Sequence, residues 1–302
     1  MHVEYAEEAH HFTANQLDAE KLAETLTNPL SVIIQVTRRC NLSCVFCSET
    51  QEMKDPTIQN LITAKNNLAG VRRVFISGGE PLMRADILDI LGIFSDQFIV
   101  GLPTNASPRQ HLSQKIAKHI SFINIGIEGP RKITNALRGG YDKAIEGAFQ
   151  FKKAGIPLSF SCVLTRTNKN YVESALQIAD IFNAGKLKLI LPIRKGNALT
   201  MQDAEFLSND EAIDVFRSAE AFAADAGLRT KLRLTIWDKS TEGYSLVIFP
   251  DGSVNAWPVF QEVDKILYLG NIFNESISDI WLRYPFKRNH VLKYTGNSIY
   301  HT

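Results

Sequence analysis

The chain is expected to be an α/β protein: a partial (β/α)6 barrel of the TIM type carrying a small C-terminal α+β extension. Short β-branched runs alternate with longer amphipathic stretches through the first two thirds of the sequence. Every gap between runs supplies the dozen or more residues that a parallel crossover needs. From Asn197 onward that rhythm gives way to one long helical stretch and a hairpin pattern.

Taken in order, a polar lead-in over residues 1–29 has a helical pattern from 12 to 27. Strands are expected over 32–37, 72–77, 98–102, 121–127, 157–165 and 186–193, and helices near 56–69, 84–95, 108–119, 140–154 and 170–183. Residues 30–196 therefore make the barrel core, two units short of a closed eight-unit barrel. The extension, residues 197–302, begins with a helix over 208–226 and an extended run over 232–237. Two further runs, 244–250 and 253–257, flank Asp251-Gly252, a hairpin signal because such turns need positive φ. A last helix covers 276–282. No fixed-period repeat and no Pro- or Gly-rich linker interrupts the chain, so the extension is expected to pack on the barrel.

At 302 residues, 45% hydrophobic and 22% charged, the chain can bury a sizeable core. Its 33 basic and 32 acidic side chains leave a formal charge of +1, which argues against a dedicated nucleic-acid binder. No run approaches the roughly 20 apolar residues of a membrane span, and the N-terminus lacks the basic-then-apolar order of a signal peptide. The expected location is the cytoplasm. Four cysteines are too few for a disulfide framework, and three of them fall within eight residues. That crowding points to metal chemistry.

Cys40, Cys44 and Cys47 follow the first strand in the spacing CxxxCxxC. Three thiolates on one short loop can hold three corners of an iron–sulfur cube, leaving the fourth iron open to a small molecule, whereas a structural zinc site uses four protein ligands. A zinc loop completed by a distant histidine or by Cys162 is the plainer alternative. Strand parity gives Cys162 a structural role: Leu158, Phe160, Cys162 and Leu164 share an apolar face, while Ser159 and Ser161 point into the barrel. By the same parity Asn124, Gly126 and Glu128 share the lumen face of the fourth strand, and Gln35 and Thr37 share one on the first. Arg38, Arg39, His10 and His11 read as exposed.

The cysteine loop resembles that of the radical S-adenosylmethionine (SAM) superfamily, and further motifs follow in the matching order. Gly78-Gly79-Glu80-Pro81 ends the second strand and resembles the family's motif for the SAM amino group; Thr104-Asn105 ends the third. Ile125-Gly126-Ile127-Glu128-Gly129-Pro130 ends the fourth strand, followed by Arg138-Gly139-Gly140-Tyr141-Asp142, as in the SPASM/twitch-related branch. The resemblance implies one 4Fe-4S cluster on Cys40, Cys44 and Cys47, with SAM at its open iron. Phe46 would lie near the adenine, and Gly78, Gly79, Glu80, Pro81, Asn105, Glu128, Ser159 and Ser161 would line the cofactor site. Arg194, at the end of the sixth strand, would either meet a carboxylate of SAM or substrate or sit on a solvated rim. One departure stands out: Gly126 replaces a serine that touches SAM in relatives.

The resemblance also implies reductive cleavage of SAM to a 5′-deoxyadenosyl radical that abstracts hydrogen from a C–H bond. An electron donor such as flavodoxin or ferredoxin would supply the electron. The last third resembles a SPASM or twitch extension, yet no cysteine follows Cys162 and Ala256-Trp257 stand where an auxiliary-cluster ligand is usual. This implies a degenerate extension without a second cluster, which makes an oxidative dehydrogenation or a peptide crosslink less expected, with Trp237 and Trp257 as candidate pocket walls. Because the roughly 30 residues before the first strand are too few for a peptide-binding domain, the expected substrate is a small polar metabolite: a sugar, nucleoside or amino-acid derivative. The second reading is modification of a ribosomally made peptide presented by a partner protein. The third, from another class, is a non-catalytic iron–sulfur or zinc protein.

Overall fold

Six strands run parallel in chain order in the computed structural model, which describes residues 4–5, 12–13, 27–50, 52–107, 109–235, 245–257 and 268–283. Before them, β1 (Glu4–Tyr5) and β2 (Phe12–Thr13) form a short antiparallel pair, so the lead-in is extended where the pattern predicts the start of a helix. The rest of that lead-in up to residue 26, with His10 and His11, lies outside the described residues, as do Trp237 and the polar tail. The six strands are β3 (Ser31–Gln35), β4 (Arg73–Ser77), β5 (Ile99–Thr104), β6 (Phe122–Gly126), β7 (Leu158–Val163) and β8 (Lys186–Ile190). Each pairs with its successor in parallel register.

Helices α1 (Ile58–Asn67), α2 (Ile87–Ser95), α3 (Ser113–Ile116), α4 (Arg131–Leu137), α5 (Tyr141–Lys153) and α6 (Val172–Ile181) supply the crossovers. α1 begins at a reciprocal cap, in which the Thr57 hydroxyl accepts from the Asn60 N–H and the Asn60 side chain accepts from the Thr57 N–H. The stretch expected to be helical over 108–119 yields only the four residues of α3. Arg109 there adopts a left-handed φ of 53°, and a 3-10 turn over Gln110–Leu112 follows.

Two more parallel strands come from the last third. After α7 (Asn209–Asp225), β9 (Lys231–Thr235) adds beside β8, while β10 (Ser245–Ile248) adds to the opposite edge, beside β3. β11 (Ser253–Trp257) and β12 (Tyr268–Asn271) continue antiparallel from β10, and α8 (Ile277–Leu282) follows. The sheet order is thus β12-β11-β10-β3-β4-β5-β6-β7-β8-β9, an open, partial barrel. The Asp251-Gly252 turn forms as the sequence predicts: Gly252 has φ 84°, and the Asp251 carboxylate accepts from the Ser253 N–H and hydroxyl.

Alternation decides which face meets the helices. Val32, Ile34, Val74, Ile76, Val100, Leu102, Ile123, Ile125, Phe160, Cys162, Leu187 and Leu189 are buried in one core with Ile90, Phe94, Ala148, Phe151 and Leu176. Removing such side chains from water is the main drive for this layering. The opposite parity, Gln35, Ser77, Asn124, Gly126, Ser159 and Ser161, is left to the lumen.

Candidate functional site

Parallel strands present their C-terminal ends together, and segments following five of them meet there. The cysteine loop leaves β3 and passes directly over the turn after β4. An ideal Cβ on Gly78 would lie 2.3 Å from the Thr37 carbonyl oxygen, and one on Gly79 would lie 2.5 Å from that of Arg39. The Gly79 N–H donates to Thr37 O at 2.8 Å and the Glu80 N–H to Arg39 O at 2.8 Å. These glycines are needed because the cysteine loop itself sits on them.

Glu80 is buried and organises the next strand end. Its Oε1 accepts from the Leu82 N–H at 3.0 Å and the Thr104 hydroxyl at 2.7 Å, and its Oε2 accepts from the Asn105 N–H at 2.7 Å. Burial raises its pKa against the pull of these donors. Pro81 opens a short 3-10 turn, Pro81–Met83, at a position where its missing N–H costs nothing. Asn105 reaches the cysteine loop: its Nδ2 donates to Asn41 Oδ1 at 2.9 Å and stands 3.9 Å from Cys40 Sγ.

After β6, Glu128 is wholly buried and binds Arg138 in a bidentate pair, both bonds 2.7 Å long. Fork-to-fork contact is the strongest form of this pair. The guanidinium lies 5.3 Å from the centroid of the Phe46 ring, and it fills the space above Gly126, where a Cβ would come within 2.4 Å of its Cζ. The position at which a serine is expected from the resemblance is therefore held by Arg138. Sequence reasoning quoted Arg138 as part of a motif and gave it no role; the missing side chain at Gly126 was the available signal.

The three cysteines lie on one loop, with Cys40 exposed, Cys47 half-buried and Cys44 buried. Burial pushes the Cys44 thiol up to about 11 and raises that of Cys40, while Arg138 works in the opposite direction. Among the described residues no three His, Cys, Asp or Glu side chains converge on a single metal ion. Cys162 is fully buried in the main helix-facing core, and Asn168 Nδ2 donates to its sulfur at 3.3 Å. The loop after β8 clamps the cysteine loop from the far side: Asn197 donates to Cys47 O at 2.8 Å from its N–H and to Cys44 O at 2.9 Å from Nδ2. Asn197 was not singled out in the sequence, since its partners are some 150 residues away.

Below the loop, Asn124 joins the two lumen serines: Ser159 Oγ donates to Asn124 Oδ1 at 3.1 Å, and Asn124 Nδ2 donates to Ser161 Oγ at 3.0 Å. Arg194 stands apart from this group, half exposed, paired with Asp203 at 2.6 Å and stacked 3.8 Å from the Phe206 centroid. Its neighbour Lys195 turns inward to Glu49 at 2.7 Å. Arg38, read as exposed, is buried instead: it pairs with Glu49 and lies over the Phe249 ring, because β10 brings Phe249 alongside β3. Arg39 is exposed, paired with Asp55.

The family model of the Radical SAM superfamily matches residues 34–179, the span that holds the cysteine loop, Glu80, Asn105, Glu128 and Arg138. Residues 34–179 are thus a radical SAM domain, of a family that uses a 4Fe-4S cluster and SAM. A PqqA peptide cyclase of Gluconobacter oxydans is 26% identical over 214 residues, 66% of this chain and 60% of that protein. The chain thus spans less than two thirds of that relative's length. Among solved structures, Streptococcus suis SuiB bound to precursor peptide SuiA superposes with a TM-score of 0.73 at 16% identity, covering 95% of this chain and 70% of SuiB. A structure of anSMEcpe with bound AdoMet and a peptide gives 0.66 at 19% identity, covering 87% and 82%. These likenesses overturn the small-metabolite expectation: the relative is named for a peptide, and both fold neighbours were solved with peptides. The shortness of the lead-in was a poor guide to substrate. No described helix is long and apolar enough to cross a membrane.

Proposed function

We propose that this radical SAM protein modifies a peptide, cleaving SAM beside a single cluster held by Cys40, Cys44 and Cys47. The observation that carries this is the cysteine loop seated on Gly78-Gly79 over a polar lumen, in a chain similar to a PqqA peptide cyclase and, in fold, to SuiB solved with its precursor peptide. The donor set fits the group: three thiols on one loop, tied by Asn105 and Asn197 to separate strand ends. Bound there, the cluster supplies the electron that breaks the SAM carbon–sulfur bond.

The chain's own residues do the rest. Glu80 Oε2 accepts one bond within the chain and has acceptor capacity left for the SAM ammonium. Arg138 uses Nε and Nη2 on Glu128, which leaves Nη1 to meet the SAM carboxylate. Phe46, packed against Leu137, offers a flat face to the adenine. Asn124, Ser159 and Ser161 present hydrogen-bonding groups to whatever enters the lumen, and the enclosing strands exclude water from a radical. The electron comes from a partner such as flavodoxin or ferredoxin.

The test is anaerobic incubation of reconstituted, reduced protein with SAM and a pool of peptides carrying perdeuterated residues. Deuterium in 5′-deoxyadenosine, found by mass spectrometry, is the expected result. Deuterium transfer from free sugars, nucleosides or amino acids but from no peptide would overturn the reading.

A further inference from the structure

Beside the cysteine loop, on the β3–β10 side of the lumen, lies a buried polar group that cofactor binding leaves unused. Glu49 accepts from Lys195 Nζ at 2.7 Å, from Gln35 Nε2 at 3.3 Å and from Arg38. Arg38 and Lys195 both lie over the Phe249 ring, with their cationic centres 4.7 and 5.7 Å from its centroid. Ile33, Val247, Phe249 and Met53 make the apolar wall of the same place. Only 6% of the Arg38 side chain and 12% of that of Glu49 is exposed.

Within this group two atoms are buried without a partner: Gln35 Oε1, an acceptor, and Arg38 Nε, a donor. Buried polar atoms are almost always paired, so two orphans in one cluster call for an explanation. Their orientations are fixed, because the other ends of both side chains meet at the same Glu49 oxygen, Oε2. Turning Gln35 over would bring its oxygen against that carboxylate. One donor and one acceptor on an apolar wall are the complement of a neutral amide, which offers a carbonyl oxygen and an N–H together. An anion fits less well, since it would face Gln35 Oε1 and stand next to Glu49.

We infer that Gln35 and Arg38 form a subsite for a main-chain amide of the peptide substrate, the amide N–H donating to Gln35 Oε1 and the amide carbonyl accepting from Arg38 Nε. The inference rests on the peptide reading above and deepens it: this pair would set where the chain of the substrate lies relative to the cluster.

The experiment uses the full chain, reconstituted and loaded with SAM, with N-acetylglycine N-methylamide as the probe and propionate as the anionic control. Crystals soaked with the amide should show its oxygen on Arg38 Nε and its N–H on Gln35 Oε1. In solution, saturation-transfer NMR should show amide binding weakened about tenfold or more in Gln35→Leu. The inference is overturned by propionate in the amide's place, by an ordered water that the amide does not displace, by no amide binding at all, or by unchanged amide binding in Gln35→Leu. The wild-type soak needs no variant to fold, and the iron content of each protein reports folding separately. Protein that loads iron and transfers deuterium from peptides but leaves the amide unbound defeats this inference alone; protein that transfers no deuterium from peptides defeats the functional reading.

Discussion

A side chain on residue 126 and the guanidinium of Arg138 compete for one volume: an ideal Cβ on Gly126 falls 2.4 Å from Arg138 Cζ. Arg138 cannot yield cheaply, because it is held by both oxygens of a fully buried Glu128. Gly126→Ser should therefore loosen that pair, lowering stability by about 2–4 kcal/mol and weakening SAM binding while iron is retained. The same change made in an Arg138→Ala background should have a much smaller effect. Chemical denaturation of the four proteins checks this, and additive effects would show that the two residues do not share the space.

Glu80 offers a second check. Glu80→Gln keeps the shape and places an NH2 group against a donor, either the Asn105 N–H or the pair of Leu82 N–H and Thr104 hydroxyl. A loss of about 1–3 kcal/mol in thermal unfolding and a weaker grip on SAM are expected. Unchanged melting would mean that the carboxylate does not organise the end of β5.

Cys162→Ala should behave oppositely to changes in the cysteine loop. With the thiol enclosed in the helix-facing core, the variant should lose about 1–2 kcal/mol of stability and retain its iron and its SAM cleavage. A variant that abstracts hydrogen and then stalls would give Cys162 a chemical role.

Lys186 predicts a pH dependence. Burial, reinforced by Lys188, Arg73 and Arg233, lowers its pKa from 10.5 to about 6. Between those values the unfolded chain holds a proton that the folded chain lacks, so this group makes stability rise with pH across that window. Lys186→Met should raise the melting temperature at pH 7 by several degrees, with the gain fading toward pH 10. A gain that grows with pH would reverse the sign and refute the assignment.

Much of the site was legible because strand parity and short spacings are local. The alternation in Leu158-Ser159-Phe160-Ser161-Cys162 already separated core from lumen, and CxxxCxxC already marked the three thiols that share one loop. What escaped was set by distant partners. Arg38 looked like surface charge until β10 brought Phe249 beside β3 and Lys195 met Glu49, 146 residues away. Arg138 gained its place only through Glu128 and the absent side chain at Gly126. The two outer parallel strands, β9 and β10, carry no local mark of which edge they join.

The most direct test is anaerobic reconstitution with iron and sulfide, then dithionite and SAM, with 5′-deoxyadenosine measured by mass spectrometry in the wild type and in Cys44→Ala. The wild type should hold about four irons per chain and form 5′-deoxyadenosine, and the variant should lose both. Equal 5′-deoxyadenosine from the variant, or none from a wild type that carries its iron and binds SAM in the presence of peptides, would contradict a cleavage site on this loop.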